Sequence, residues 1–374
     1  MDFAFQAIDY KKETFLEQAL SEIPKRSAVY KIFDTRGKLI VLDKTSNLYQ
    51  RMERFYGVRS EMLRELDLRE ISSRIEFQPT DSTFETLYLL YRERRRIFPK
   101  TYRKMRTFRF FTLMKINRKQ RFPRIYATRQ VKSGVDYFGP FVSRGQFTRL
   151  KTTLERTFKL RPCLYNIRGN DPHPDCLYFQ MHTCSRPCNN DIDRKNYLND
   201  VQDAIDFIQG RDRSIEEESV ALMNTLALEM KFEAAELVRR RQEKIQRARQ
   251  ETRDTFYSLA SFNCVVLMPS DSVSRCKVAF VREGSVVGFE EYNVEGLEEV
   301  LPNEVDRFFN MPLEFASREW QYDEFCLVSG FIVDPLQSVD VIPVQSPADV
   351  TPMVIESIHR RKRKRTKNHV DTVA

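Results

Sequence analysis

The chain has 374 residues, enough for two or three small domains each with its own core. A hydrophobic fraction of 41% and a charged fraction of 31% are those of a soluble globular protein. No apolar run is long enough to cross a bilayer, and the opening MDFAFQAIDYKKETF lacks the basic-then-apolar order of an export signal, so the expectation is a cytoplasmic protein with no membrane partner.

In chain order, residues 3–20 predict a short helix, with Phe5, Ile8, Phe15 and Leu20 at roughly helical spacing. SAVYKIFD and KLIVLD read as two strands around the hairpin signal Thr35-Arg36-Gly37. Helices are expected over 46–56 and 82–97, the second capped by Ser82 with Glu85 three residues on. The stretch 105–142 is strand-rich over Phe108–Ile116, Ile125–Thr128 and Tyr137–Phe141, where Gly139-Pro140 predicts a turn. Helices follow over 144–158, 195–209 and 215–252, with Gly210 as separator and the last reading as a hairpin or short coiled arm. Residues 262–293 alternate as strands do, turning at Arg282-Glu283-Gly284, and helices near 303–310 and 321–330 come next. After Pro347 the chain turns polar and ends in HRRKRKRTKNHV, the composition of a disordered basic tail.

The net charge of +9 is unevenly spread: Arg92 to Lys132 holds sixteen Lys or Arg against one acid, Glu93. Such a stretch can neutralise several phosphates and give salt-dependent nucleic-acid binding. The candidate contacts are Arg94, Arg95, Arg96, Lys100, Arg103, Lys104, Arg106, Arg118, Lys119 and Arg121. Tyr102, Phe108, Phe110, Phe111 and Tyr126 lie among them and serve equally as strand core.

Of seven cysteines, Cys264, Cys276 and Cys326 are scattered and read as buried hydrophobes. Cys163, Cys176, Cys184 and Cys188 follow C-x12-C-x7-C-x3-C. Four thiolates within 26 residues can converge on one centre, and both tetrahedral zinc and a 4Fe–4S cluster accept such a set. His182 is nearby but is not needed as a ligand.

The segments RTFKLRPC and CLYFQMHTCSRPCNND resemble the iron–sulfur segment of the UvrC family. PRIYATRQVKSGVDYFGPFVS before them and YLNDVQDAIDFIQGR after them are similar to that family's flanking stretches, in the same order. The resemblance covers the amino-terminal two-thirds of the family pattern and favours the 4Fe–4S cluster over zinc. MNTLALEMKFEAAELVRRRQEKI resembles the family's UvrB-binding hairpin, with Met223, Met230, Phe232 and Ala235 at matching places. Glu236 and Arg240 depart from it, standing where the family favours a small residue and an acid. An intramolecular hairpin is the alternative.

The amino-terminal stretch resembles a GIY-YIG nuclease, whose chemistry uses tyrosines from two strands, a Lys, an Arg and one Glu that holds the metal. Tyr30 is retained in SAVY, whereas the second signature has become Val41-Leu42-Asp43 and has lost its tyrosine. Lys44, Asn47 and Arg51 match, but alignment on Pro99 puts Leu90 at the glutamate position, and a hydrocarbon cannot bind Mg²⁺. Glu93 or Asp43 would be the replacement if cutting survives, and only then would magnesium be a cofactor. No Gly-rich hairpin pairs and no convincing acid constellation follow residue 254.

The expected fold class is α+β. It comprises a degenerate GIY-YIG-like α/β domain (1–104), a strand-rich and four-cysteine segment (105–190) and a helical region with the hairpin (191–253). A small carboxy-terminal α+β region (254–346) and the tail (347–374) complete it. The expected function is a DNA-binding, UvrC-like repair protein whose nuclease centre is broken, with UvrB as a partner. An active single-incision endonuclease and an iron–sulfur regulatory protein outside repair are the rivals.

Overall fold

The structure is a computed structural model that describes residues 4–11, 20–56, 68–167, 175–211, 213–252, 256–312, 317–334, 339–344 and 347–370. It is α+β, built on three four-stranded antiparallel sheets.

The first sheet has the order β1–β4–β2–β3, formed by β1 (Gln6–Asp9), β2 (Ala28–Asp34), β3 (Leu39–Thr45) and β4 (Ser72–Pro79). The helix expected over 3–20 is therefore wrong at residues 6–9, which pair with β4; residues 12–19 lie outside the described set. Spacing alone did not separate the two periods over so short a run, and the open edge of β4 supplies hydrogen bonds that a lone turn of helix lacks. The β2–β3 turn follows its sequence signal: Gly37 takes φ +74°, and the Asp34 carboxylate accepts from the Arg36 and Lys38 amides at 2.8 Å each. Alternation along β2 splits two packings. Tyr30 and Ile32 meet Leu48 and Met52 of α2 (Leu48–Tyr56), flanked by α1 (Leu20–Glu22) and α3 (Leu68–Ile71), whereas Val29 meets Leu89 and Leu90 of α4 (Thr83–Ile97). Ser82 caps α4 by accepting from the Glu85 amide, as its sequence implies.

The middle sheet has the order β6–β5–β7–β8, from β5 (Thr112–Ile116), β6 (Ile125–Thr128), β7 (Asp136–Phe141) and β8 (Tyr257–Ser258). Strand β7 continues through Gly139-Pro140, where a turn was expected, and its register against β5 shifts there. Gly139 answers a close approach instead: a Cβ there would stand 2.7 Å from the Leu113 side chain and 3.3 Å from the Thr112 carbonyl. Helices α5 (Arg144–Thr157), α7 (Arg194–Ile208) and α9 (Phe232–Thr252) bury Leu150, Leu154, Val201, Ile205 and Ile245 over this sheet. The short α6 (Leu177–Gln180) lies in the cysteine segment, and α8 (Ser214–Leu228) forms an antiparallel hairpin with α9.

The third sheet has the order β11–β10–β9–β12, from β9 (Cys264–Pro269), β10 (Arg275–Arg282), β11 (Ser285–Asn293) and β12 (Asp340–Pro343). Strand β9 is buried on both faces. Its Val266 and Met268 join the core of α11 (Arg318–Val333), while Val265 and Leu267 join that of α10 (Leu297–Asn310) and α12 (Pro347–Val370). The tail expected to be disordered is thus a helix over 347–370. Val350, Val354 and Ile358 recur every four residues and are buried, and this apolar stripe precedes the basic run that dominated the composition. Helix α4 also packs on this third layer, with Tyr88 stacked on Phe289 and Phe84 edge-on to Phe331. No helix among the described residues is long and apolar enough to cross a membrane.

Candidate functional site

Antiparallel register sets Tyr30 directly opposite Asp43, on the same face of the first sheet. Tyr30 is buried beside Phe55, and burial pushes its hydroxyl up to about 12, against the pull of the Arg51 guanidinium. Arg51 lies over the Phe55 ring at 5.6 Å and Lys44 is exposed, while Asn47 accepts from the Gln50 amide at 3.0 Å at the start of α2. Tyr30, Arg51 and Asp43 are therefore neighbours. Leu90 is not with them: it is 1% exposed and packs with Val29, whose side chain points to the other face.

The two replacement carboxylates are both occupied. Asp43 receives Arg94 at 3.3 Å, and Glu93 pairs with Lys31 and Arg96 at 2.8 Å each. Lys31 is a buried cation that also meets Glu76 at 3.6 Å and the Phe5 ring at 3.5 Å, so Glu93 balances a charge that would otherwise be costly.

The basic segment divides in two. Arg94 donates to Thr107 and Asp43, Arg95 reaches Glu324 at 3.4 Å and stacks over Trp320, and Arg103 grips Asp323 and Glu319 at 2.5 and 2.7 Å. Arg95 and Arg103 lock α4 and the turn after it onto α11, and Arg94 ties α4 to β3 and to Thr107. Arg118 pairs with Asp136 at 2.7 Å and Arg96 with Glu93, both at exposed positions. Lys100, Lys104, Arg106, Lys119 and Arg121 face solvent. Among the aromatics, Tyr102 and Phe111 are buried, and Phe108 and Phe110 pack on the same core. They are structural.

Sequence reasoning missed the acids that answer these cations. Asp323 and Glu324 sit in an apolar helix, and Glu85 with Asp81 receives Lys277 of β10 at 2.6 and 2.7 Å. Adjacent acids within the run QYDEFCLVSGF were the available signal.

In the cysteine segment Cys184 and Cys188 are buried, with Cys163 and Cys176 half-buried. Burial pushes the Cys184 thiol up to about 12; the Arg186 amide, 3.4 Å away, opposes this, while Cys163, Cys176 and Cys188 add to it. Cys184 thus lies within electrostatic reach of the other three thiols. Arg161 carries donors into the same place, with Nη1 3.5 Å from the Cys163 sulfur and 2.8 Å from the Tyr165 carbonyl. As placed, no three His, Cys, Asp or Glu among the described residues form a group that could hold a metal ion. The sulfurs are gathered but not closed into a shell. His182 is exposed, and Cys264, Cys276 and Cys326 are buried far along the chain in the carboxy-terminal layer.

On the hairpin, Met230 takes φ +57° at the turn, and Leu228, Met230 and Phe232 are 86%, 77% and 64% exposed. Ala235 is buried and Met223 half-buried. Glu236 and Arg240, the two departures from the resemblance, pair with each other at 2.8 Å one turn apart.

Residues 111–207, which hold the middle sheet's first three strands, α5 and the four cysteines, match the family model described as UvrC/Cho excinuclease, middle domain. Similarity extends well beyond that segment. The UvrABC system protein C of Clostridium kluyveri is 26% identical over 294 residues, covering 77% of this chain and 47% of the relative. That of Thermoanaerobacter sp. is 26% identical over 330 residues, 85% and 53% respectively. That of Rickettsia bellii is 29% identical over 229 residues, 60% and 35%. The chain is similar to proteins of this name over most of its own length, and it spans about half the length of the curated relatives it matches. No solved structure matches it.

Proposed function

We propose that this chain is a DNA-binding component of nucleotide excision repair whose GIY-YIG-like domain does not cut. The repair reading is supported by similarity to proteins named UvrABC system protein C. One observation carries the inert reading: Leu90 is buried against Val29, and the two candidate replacement carboxylates, Asp43 and Glu93, are held by Arg94 and by Lys31 and Arg96. Hydrolysis needs a free carboxylate to hold a cation at the reacting phosphate. Asp43 would have to release Arg94, which is anchored to Thr107 and the Leu42 carbonyl besides. Tyr30, Lys44 and Arg51 then remain as a polar remnant that stabilises the domain.

Cys163, Cys176, Cys184 and Cys188 would hold a 4Fe–4S cluster, with zinc as the rival. Support comes from the sulfurs' proximity and from the amide and guanidinium donors that a thiolate set needs. Such a cluster would tie the cysteine segment onto the middle sheet. UvrB is the proposed partner of the hairpin, in keeping with its exposed apolar tip.

The test is incision of nicked and lesion-bearing duplex with Mg²⁺ or Mn²⁺. No product is expected. Metal-dependent cutting that Tyr30→Phe abolishes would sink the inert reading.

A further inference from the structure

The neutralisation of Arg94, Arg95 and Arg103 by internal acids leaves the question of where free positive charge is concentrated. A cleft of about 860 Å³ lies between α5 and α9, lined by Arg144, Thr148 and Arg156 on one side and Lys244 and Arg247 on the other. Its floor is fixed by Leu150, Leu154, Ile245 and Ala248, which are buried in the middle core. Arg144, Arg156, Lys244 and Arg247 are exposed and make no ion pair among the described residues. The one acid in the lining, Glu251, is matched by Arg149 at 2.9 Å. Arg144, Thr148, Thr152 and Arg156 recur every four residues, a stripe of about 18 Å at about 1.5 Å per residue.

From this geometry we infer that the α5–α9 cleft binds the phosphate backbone of DNA, a contact surface separate from the 100–121 segment; it rests on the DNA-binding reading above. Along about 18 Å of duplex there are roughly ten phosphate charges, enough for four cations to find partners. An acidic protein segment fits less well: the lining offers threonine hydroxyls, guanidinium groups and alkyl stems but no exposed aromatic or aliphatic anchor, which protein interfaces use at their centre. Arg109 donates to the Val142 carbonyl just before α5, so the basic segment leads to one end of the cleft.

The test uses the full chain, a labelled duplex oligonucleotide and anisotropy titrations across KCl concentrations. Neutralising Arg144, Arg156, Lys244 and Arg247 to Gln is expected to lower the log–log salt slope by about 3–4 and affinity by more than tenfold. Glu251→Gln, which frees Arg149, is expected to raise the slope by about 1, and gives a readout should the quadruple variant not fold. Slopes unchanged in the variants while the wild type binds would overturn the cleft alone. Poly-glutamate binding lost in the quadruple variant, with DNA binding intact, would do the same. A wild type that binds no DNA would overturn the DNA-binding reading itself.

Discussion

Arg103 holds Asp323 through two bonds, Nη2 to Oδ1 at 2.5 Å and Nε to Oδ2 at 3.4 Å, and Tyr102 donates to the same carboxylate at 2.7 Å. Asp323 is 0% exposed, on a helix more than two hundred residues along the chain. A carboxylate withdrawn from water so fully is tolerable only with its partners in place.

Arg103→Gln should therefore act on stability and not on DNA. Removing one partner of a buried pair costs about 3–5 kcal/mol, so the urea midpoint should fall sharply. Under conditions where the variant remains folded, its salt slope for DNA should equal that of the wild type. A slope reduced by about 1 without loss of stability would return Arg103 to the nucleic-acid interface.

What could be read in advance follows from how local each signal is. The Ser82 cap, the Asp34–Gly37 turn and the strands of 262–293 depend on near neighbours, and the structure has them where their residues imply. The ion pairs joining α4 to α11 and β10 to Glu85 depend on contacts across 190 to 230 residues, which a charge count cannot see. That is why a basic cluster looked uniformly available when three of its arginines are consumed. Tail composition misled for a related reason: three apolar residues four apart outweigh the basic run beyond them.

Glu324 gives a pH dependence with a defined sign. Burial raises its carboxyl to about 7, against the lowering effects of the Val286 amide and of Arg95, with Asp323 beside it adding to the rise. The folded state thus holds this proton more tightly than the unfolded chain, where Glu titrates near about 4.3. Its contribution is fully present below about pH 4.3 and is lost as pH rises through about 7, amounting to at most about 4 kcal/mol. The difference in unfolding free energy between wild type and Glu324→Gln should slope across that window and flatten above it. A difference independent of pH would show that Glu324 titrates as it does in water.

Metal content discriminates the proposed centres. Anaerobic purification should give iron and sulfide in equal amounts, with visible absorbance, and Cys184→Ala or Cys188→Ala should lose both. Loss of the centre should lower the melting temperature, because the cysteine segment would no longer be tied to the sheet. Zinc without sulfide would favour the rival, and neither metal would leave the thiols as packing.

The hairpin tip predicts a separation between binding and folding. Leu228, Met230 and Phe232 are largely solvent-exposed, so replacing them removes little internal packing and should change stability by no more than about 0.5 kcal/mol. Position 230 occupies the left-handed region at φ +57°, where asparagine is among the better-tolerated residues, so the variant of choice combines Leu228→Ser, Met230→Asn and Phe232→Ser. Capture of purified UvrB should be lost in this variant and kept in Glu236→Gln, which breaks the Arg240 pair but leaves the apolar tip intact. Those three side chains form the exposed apolar tip at the turn, so undiminished capture by the triple variant would mean that UvrB docks elsewhere on the chain.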